Sequence, residues 1–308
     1  MNDTRDKVGK PDAPVGLRRV LDRSVSGPFW IDAGLLGSLA LLCLGLSLGY
    51  SQTNLPAAGS KLPGGADKWE LVWNEEFDYP DTQLEVAWKS QNGSSGHILS
   101  SRWRENAVVS KGLLRLLARK EKRGGQDWTA GSIWTRQMYQ YGYFECRYRY
   151  AAAEGLNNSF WLMPTGTNKV ERGKFFEIDI NERHYPDKIS NNIHNHTDVK
   201  VANGKRTHPT SSRTFSFGAR SEGTNRPGAE FNFARDFQVH GLEWNESELV
   251  FYLNRTEIRR VKNEFCFSPA AVWLSLAVIP WGGRITGAID GTAMEVDYVR
   301  IYRKKSGA

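Results

Sequence analysis

The chain has 308 residues, of which 40% are hydrophobic and 12% aromatic, and all-β domains of about 200–250 residues commonly stay single. Its formal net charge of +7 suits an anionic polymer, but no basic run interleaved with stacking aromatic residues indicates a nucleic-acid site. The three cysteines have no C-x-x-C spacing and H-E-x-x-H does not occur, which excludes a disulfide scaffold and the common zinc motifs.

One apolar stretch divides the N-terminal part of the chain. Residues 1–29 are polar, with Gly, Pro and charges of both signs, and we expect them to be disordered. Residues 33–50 carry no charge over 18 positions, a length between a signal-peptide core and a membrane span. We therefore expect residues 30–50 to be a signal peptide or a membrane anchor. The remainder is then exported: secreted, periplasmic or held on the outer side of a membrane.

A linker and one folded domain follow. Residues 51–66 are rich in Ser, Gly, Pro and Ala and predict the linker, and residues 67–308 are expected to form the domain. There, short runs of alternating apolar residues recur between turn signals, with no convincing amphipathic helix and no βαβ alternation. Many short strands predict an all-β fold, a β-sandwich. Residues 202–230, rich in Gly, Ser, Thr and Arg, predict a long loop. The clearest predicted strands are residues 112–118, 142–150, 249–253 and 294–302.

The cysteines leave two alternatives. Cys43 lies in the apolar stretch, so Cys146 and Cys266 are the two in the expected domain. They are either buried free thiols, which we favour, or one disulfide pair.

Three carboxylates fall within seven residues of what otherwise looks like a buried strand, Phe176-Glu-Ile-Asp-Ile-Asn-Glu182. Side chains alternate between the faces of a strand, so the apolar residues point into the core while Glu177 and Asp179 point away from it. Strict alternation would put Glu182 in the apolar layer, where an unpaired carboxylate is costly. A β-bulge with one extra residue brings Glu182 onto the carboxylate face. Acids on one face repel one another and do not help folding, so a catalytic role explains them better. The role we expect is acid/base and nucleophilic catalysis on a sugar.

Two other interpretations of these acids compete. Strands carry acids on solvent faces, often paired with Lys or Arg, but no basic residue lies between these three. Clustered Asp and Glu also bind Ca²⁺, but the segment lacks the glycine turn and the spaced oxygen ligands of an EF-hand loop. The catalytic interpretation is therefore favoured.

The segment Glu177-Ile-Asp-Ile-Asn-Glu182 resembles the active strand of the glycoside hydrolase family 16 enzymes, E-x-D-x-(x)-E, in its bulged form. The resemblance implies a jelly roll of two curved antiparallel sheets with a substrate cleft on the concave face. It extends over further motifs in the same order as in the family. These are Leu71-Val-Trp-Asn-Glu-Glu-Phe-Asp, Trp128-Thr-Ala-Gly-Ser-Ile, Tyr141-Gly-Tyr-Phe-Glu, His240-Gly-Leu-Glu-Trp, Phe251-Tyr-Leu-Asn-Arg and Gly291-Thr-Ala-Met-Glu-Val-Asp-Tyr-Val-Arg-Ile-Tyr.

The resemblance implies a retaining endo-hydrolase of β-linked polysaccharides that requires no cofactor for catalysis. By position, Glu177 is the nucleophile, Glu182 the general acid/base and Asp179 the residue between them. A retaining pair stands about 5–5.5 Å apart, close enough to form and then hydrolyse a glycosyl-enzyme. An ionised Asp179 helps to keep Glu182 protonated by like-charge repulsion, while Glu177 stays ionised to attack.

The resemblance also implies residues that hold the sugar. Trp161, in the run Ser-Phe-Trp-Leu-Met-Pro, is expected to stack on the sugar next to the cleaved bond, with a core position as the alternative. Trp103 and Trp128 are further expected binding residues. Either His194 or His196, which share a face, is expected near the nucleophile's sugar.

A structural calcium site is a further expectation. Asp297, in the closing strand, occupies a position that in some family members binds Ca²⁺ on the convex face, with Glu76 nearby. A plain salt bridge explains both residues equally well.

The expected substrate is a sulfated algal galactan such as agar, porphyran or carrageenan. Lys174-Phe-Phe precedes Glu177 where family laminarinases usually carry Trp-Pro, and the Phe-Trp-Leu-Met-Pro run and the basic charge favour a galactan too. Trp281-Gly-Gly resembles β-1,3-glucan enzymes, so an endo-β-1,3-glucanase is the alternative. A transglycosylase would use the same carboxylates, whereas a non-catalytic glycan-binding jelly roll would lack them. We expect a monomer whose partner is the polysaccharide.

Overall fold

The computed structural model describes residues 61–166, 175–217 and 232–307. The disordered region, the apolar stretch and most of the linker predicted for the N-terminal part lie outside the described residues and stay predictions. None of the helical turns in these three ranges could span a membrane.

Strands make up almost all of the regular structure, and the all-β prediction is confirmed. The first ten are β1 (Trp69–Glu75), β2 (Trp88–Ser90), β3 (Ser100–Arg102), β4 (Ala107–Ser110), β5 (Leu113–Arg119), β6 (Trp128–Ala130), β7 (Ser132–Thr135), β8 (Gly142–Arg149), β9 (Leu156–Met163) and β10 (Phe176–Arg183). The others are β11 (Lys188–Asn195), β12 (Lys200–Ala202), β13 (Lys205–Thr207), β14 (Thr210–Ser216), β15 (Gln238–Trp244), β16 (Glu248–Leu253), β17 (Thr256–Lys262), β18 (Ala271–Val278) and β19 (Ala293–Lys304). Helical turns in the described ranges are α1 (Leu84–Ala87) and the 3₁₀ segments Ala66–Lys68, Asp81–Gln83, Arg104–Asn106 and Gly287–Ile289.

The strands form two large sheets. The ten-stranded sheet has the order β17-β16-β15-β8-β19-β5-β6-β3, with β1 paired to β19 and β4 to β5. The seven-stranded sheet has the order β14-β11-β10-β9-β18-β7-β2, and β12 pairs with β13 in a separate hairpin. Neighbouring strands are antiparallel except β3 and β6. Partners such as β9 and β18 lie far apart in sequence, as in a jelly roll.

The core is built from the inward face of each strand. On β10, Phe176, Ile178 and Ile180 are at most 2% exposed, and Phe144 and Leu242 of the ten-stranded sheet belong to the same buried cluster. Burying one large apolar side chain contributes about 1.5–3 kcal/mol. This packing fixes which face of β10 points outward, and with it the direction of the acids.

Both cysteines of the domain are free. Cys146 and Cys266 are buried and unbonded, so the disulfide alternative is wrong and the free-thiol alternative is confirmed. Burial raises the pKa of each thiol well above its ordinary value.

The loop predicted over residues 202–230 is wrong over its first part. β13 and β14 occupy much of residues 205–216, and β14 pairs with β11 along seven residues. Residues 210–213 are exposed at the sheet edge, so β14 lacks the apolar alternation from which strands are predicted.

Candidate active site

Outward-facing side chains of the seven-stranded sheet form rows that cross the strands. Directly opposed residues share a face, so the register identifies the neighbours in each row. We call the first the tryptophan row: Ser212, Asn192, Asp179, Trp161, Trp273, Trp134 and Lys89. The second, the serine row, lies further along the strands: Thr214, Ser190, Glu182, Ser159, Ser275 and Ser132. Asp179 and Glu182 therefore occupy adjacent rows, and Glu177 lies on the same face opposite His194.

A β-bulge brings Glu182 to this face. Asp179 and Glu182 are three residues apart on β10, whereas their partners are two apart on both β9 and β11. One extra residue therefore lies between the two carboxylates, and both Ile180 and Asn181 are buried. The bulge predicted from the sequence is confirmed.

Buried amides and hydroxyls hold the bulge. Asn191 Nδ2 donates to the carbonyl oxygen of Ile180 at 2.6 Å, which satisfies a backbone acceptor at the irregular point of the ladder. On the core side, Asn181 Nδ2 donates to the hydroxyl oxygens of Tyr148 and Tyr150, the latter at 2.8 Å. Tyr148 belongs to β8 and Tyr150 directly follows it. The ten-stranded sheet thus anchors the strand that carries the acids.

Asp179 is the most deeply buried of the three acids, with 2% of its side chain exposed. Burial, followed by the neighbouring charge of Glu177, raises the pKa of Asp179 from 3.8 to about 6, although contacts with His194 and Asn192 oppose the shift. His194 Nε2 lies 3.4 Å from Asp179 Oδ2. Burial lowers the pKa of His194, but the carboxylates of Asp179, Glu177 and Glu182 together outweigh it, and the net shift is upward. The Asp179–His194 pair therefore holds a proton readily near neutral pH.

Two amides orient Glu182. Asn157 Nδ2 donates to its Oε1 at 2.5 Å. Asn192 Nδ2 donates to Glu182 Oε2 and to Asp179 Oδ2, each at 3.0 Å, and so bridges the two carboxylates. Neither asparagine was predicted from the sequence, because only the registers of β9 and β11 bring them to β10.

Both predicted histidines contact acids of β10, and each contacts a different one. His196 Nε2 lies 3.1 Å from Glu177 Oε2, while His194 contacts Asp179. His208, which the sequence analysis missed, lies 3.0 Å through Nε2 from His194 Nδ1. Burial, and then the proximity of His196 and His194, lowers the pKa of His208. His208 lies between two short strands, where no alternation would have indicated it.

One group in the described part of the chain has ligand atoms that a metal ion could share. These atoms of Glu177, Asp179 and His194 lie within 4.8 Å of one another. The residues predicted for calcium are arranged differently, since Asp297 is paired with Arg147 at 2.5 Å and Glu76 with Arg300 at 2.9 Å. Calcium takes six to eight oxygen ligands, so carboxylates already paired with guanidinium groups do not fit such a site.

The three indoles of the tryptophan row stack on one another. The ring centroids of Trp161 and Trp273 are 4.7 Å apart, and those of Trp273 and Trp134 are 4.6 Å apart, with the planes within 26° of parallel. Trp273 is therefore covered on both faces and is 8% exposed. Trp161 keeps one face on the side of Asp179, where a sugar ring can stack. Its Nε1 donates to Ser275 Oγ at 3.1 Å, which fixes the ring.

The other two predicted tryptophans do not lie in these rows. Trp128 is 7% exposed and belongs to the core cluster, so its predicted contact with sugar is wrong. Trp103 Nε1 donates to Ser101 Oγ, and the guanidinium of Arg123 lies 3.8 Å from its ring centroid. Indoles suit a core as well as a cleft, and the sequence motif did not distinguish the two.

Comparisons with known proteins identify the family to which this fold belongs. The family profile described as "Glycosyl hydrolases family 16" matches residues 95–300. The chain is 28% identical over 281 residues to the beta-glucanase of Rhodothermus marinus, covering 80% of this chain and 89% of that protein. It is 25% identical over 264 residues to the kappa-carrageenase of Pseudoalteromonas carrageenovora, covering 75% and 63%. The structure of the R. marinus laminarinase superposes with a TM-score of 0.62 at 25% identity, covering 77% of this chain and 98% of that one.

Replacing Asn181 tests whether its hydrogen bonds to the two tyrosines keep the bulge in place. We predict that Asn181→Leu lowers the turnover number at least tenfold with little change in KM, because the tryptophan row is untouched while Glu182 shifts. Two tyrosine hydroxyls also lose a partner, at a cost of about 1–3 kcal/mol each. Steady-state kinetics and thermal unfolding measure both effects. Ile180→Val, a smaller change on the same strand, is the control, and a leucine variant within twofold of wild-type turnover would contradict the prediction.

The pKa of Asp179 makes a stability prediction. A folded-state pKa above the ordinary value means that ionising Asp179 costs stability above about pH 6 and nothing below 3.8. Asp179→Asn removes this cost, so the variant should be more stable than wild type at pH 8 by roughly 1–2 kcal/mol, since one pKa unit corresponds to about 1.4 kcal/mol and the lost His194 contact offsets part. The gain should shrink as the pH falls from 6 to 4.

Calorimetric unfolding at pH 8 and pH 4.5 measures this difference. Asp67→Asn, at an exposed position, controls for the removal of a negative charge elsewhere on the chain. A lower unfolding temperature for Asp179→Asn than for wild type at pH 8 would show that the carboxylate stabilises the fold.

Proposed function

The chain belongs to glycosyl hydrolase family 16 and is a glycosidase, and from this premise we propose that it cleaves internal β-linkages of a polysaccharide with retention of configuration. The observation that carries the proposal is the common outward face of Glu177, Asp179 and Glu182 on one bulged strand. A retaining reaction uses two carboxyl groups beside one cleavage point.

In the first step, Glu177 attacks the anomeric carbon and the bond to the leaving sugar breaks. Glu182 gives its proton to the leaving oxygen, so that no free alkoxide forms. In the second step, a water attacks the glycosyl-enzyme, Glu182 takes the water's proton, and Glu177 leaves as a carboxylate. His196, 3.1 Å from Glu177 Oε2, orients the nucleophile for both steps.

Asp179 supports the acid role of Glu182. The two carboxylates share the Nδ2 of Asn192 at 3.0 Å each, so a negative charge on one raises the cost of a charge on the other. Asn157 holds the second oxygen of Glu182. The proton of Glu182 is then presented from a fixed direction.

The length of the tryptophan row supports endo-acting cleavage. The row crosses all seven strands, and with strands about 4.8 Å apart it spans about 29 Å. Asp179 lies inside the row, with two strands on one side and four on the other. A polymer lying across the strands therefore has room for sugars on both sides of the cleaved bond.

A sulfated galactan is the substrate we propose. The net charge of +7 favours an anionic polymer, and the resemblance to a kappa-carrageenase supports the same class. Lys89, exposed at the end of the tryptophan row, adds a positive charge in the cleft. A β-glucan is the second candidate, favoured by the beta-glucanase and laminarinase likenesses and by the exposed Trp281. An extracellular polysaccharide also fits the export expected from residues 30–50.

Transglycosylation is the alternative reaction on the same carboxylates. It differs from hydrolysis only in whether a sugar hydroxyl or water attacks the glycosyl-enzyme. Product analysis by mass spectrometry separates the two, because transfer yields oligosaccharides longer than those supplied.

Removing either glutamate should abolish cleavage. We predict that the full chain releases reducing ends from one polysaccharide of a panel of agarose, porphyran, carrageenans, laminarin and mixed-linkage β-glucan. Glu177→Gln and Glu182→Gln should each lower the rate at least about a hundredfold with the fold intact by circular dichroism. Glu70→Gln, at an exposed position, is the matched control. Near-wild-type cleavage by either site variant would exclude its assigned role, and activity on laminarin alone would replace the galactan by a β-glucan.

Removing the end of the tryptophan stack should weaken substrate binding. Trp161→Ala takes away the free stacking face beside Asp179, so KM should rise and turnover fall, by about tenfold in the ratio kcat/KM if one stacking contact of about 1–1.5 kcal/mol is lost. Trp161→Phe keeps an aromatic face and should lose less. A large fall in unfolding temperature with unchanged KM would instead identify Trp161 as a core residue.

A further inference from the structure

Arg102, on β3, is a buried cation without an acidic partner in the described part of the chain. Arg102 is 7% exposed. Nη1 donates to the carbonyl oxygen of Gly131 at 3.3 Å, the side chain's one hydrogen bond to the described protein. Burial lowers the pKa of Arg102 to about 9, so the guanidinium is still charged at neutral pH. An unpaired buried charge costs stability, and such groups concentrate at functional sites.

Other buried polar groups around Gly131 also lack partners among the described residues. The Ser132 hydroxyl, 2% exposed, follows Gly131 directly and has none. Both polar atoms of the Asn106 amide, 1% exposed, have none either. The backbone of Asn106 packs against Gly131, where an added Cβ would come within 2.4 Å of the Asn106 main-chain carbonyl oxygen. Folded proteins rarely leave such groups unsatisfied, so Arg102 and the Ser132 hydroxyl, which both adjoin Gly131, suit a polar ligand.

This pair of groups adjoins one end of the serine row. Ser132 is opposite Ser275, Ser275 is opposite Ser159, and Ser159 is opposite Glu182. Three strand spacings of about 4.8 Å put Ser132 about 14 Å from the acid/base, along the direction in which the polymer is proposed to lie. Ile98, in the segment that leads into β3, packs on Ala277 of β18, so this segment covers the same end of the sheet.

We propose that Arg102, together with the Ser132 hydroxyl, forms a subsite for an anionic substituent of the polysaccharide, a sulfate ester or a carboxylate. Guanidinium presents a planar fork of donors that matches the oxygens of such groups, and the hydroxyl supplies a further donor. The subsite binds a substituent that lies away from the cleaved bond. Its role in substrate choice rests on the proposed function, whereas anion binding itself does not.

Thermal unfolding with inorganic sulfate tests anion binding without any turnover. Sulfate stabilises proteins generally by exclusion from their surface, so the quantity compared is the sulfate-induced rise in unfolding temperature of wild type minus that of Arg102→Met, against chloride at equal ionic strength. We expect a larger rise for wild type, and Arg303→Met, at an exposed position, to behave like wild type. Equal rises for wild type and Arg102→Met would overturn the proposal.

The sulfate-free buffer supplies a second criterion. Replacing an unpaired buried charge by an apolar side chain of similar length is expected to be neutral or stabilising. Arg102→Met should therefore unfold no lower than wild type. A large fall in its unfolding temperature would assign Arg102 a structural role and contradict the proposal.

Substrate discrimination tests the subsite role. The ratio of kcat/KM on κ-carrageenan or porphyran to that on the chemically desulfated polymer should fall about tenfold in Arg102→Met, as for one lost charged contact, and partly recover in Arg102→Lys. An unchanged ratio would exclude a subsite there. If wild type cleaves none of these polymers, the proposed galactan function fails, and the sulfate experiment still decides whether Arg102 binds anions.

Discussion

The bulge in β10 sets the direction in which Glu182 points. It turns Glu182 outward, but it also turns the polar side chain of Asn181 into the space between the sheets. A buried amide is tolerated only when it is hydrogen-bonded. Tyr148 and Tyr150 meet that need from the opposite sheet. The outward position of Glu182 and the packing of the core are therefore coupled, and we expect a change at these tyrosines to shift Glu182 without contacting it.

On the outward face of β10 the difficulty is electrostatic, since three carboxylates lie close together on one short segment and repel one another. Each carboxylate is contacted by a different set of side chains. His196 contacts Glu177, His194 contacts Asp179, and the amide of Asn192 bridges Asp179 and Glu182. Burial, followed by the neighbouring charge of Glu177, raises the pKa of the central acid, Asp179, to about 6.

Local patterns predicted the parts of the site that depend on one strand. Alternation indicated the outward acids of β10, and the cost of burying Glu182 indicated the bulge. Asn192 and His208 were missed because their contacts depend on the registers of β11 and of the edge strands, which no local pattern reveals. Trp128 was assigned to the sugar because an indole in a family motif fits a cleft or a core equally well, and only the packing distinguishes them. Arg102 escaped notice because one arginine in a polar segment is ordinarily exposed.

The anomeric configuration of the first product distinguishes a double displacement at the cleaved bond from a single one. Attack by Glu177 followed by attack of water inverts the anomeric carbon twice, so the first reducing ends released must have the β configuration of the bond that was cleaved. Proton NMR during the first minutes of digestion, before the anomers equilibrate, distinguishes the two forms. We predict that the β-anomer signal rises first and that the α signal follows by mutarotation. An α-anomer released first would mean a single displacement by water, and would contradict the assignment of Glu177 as a nucleophile.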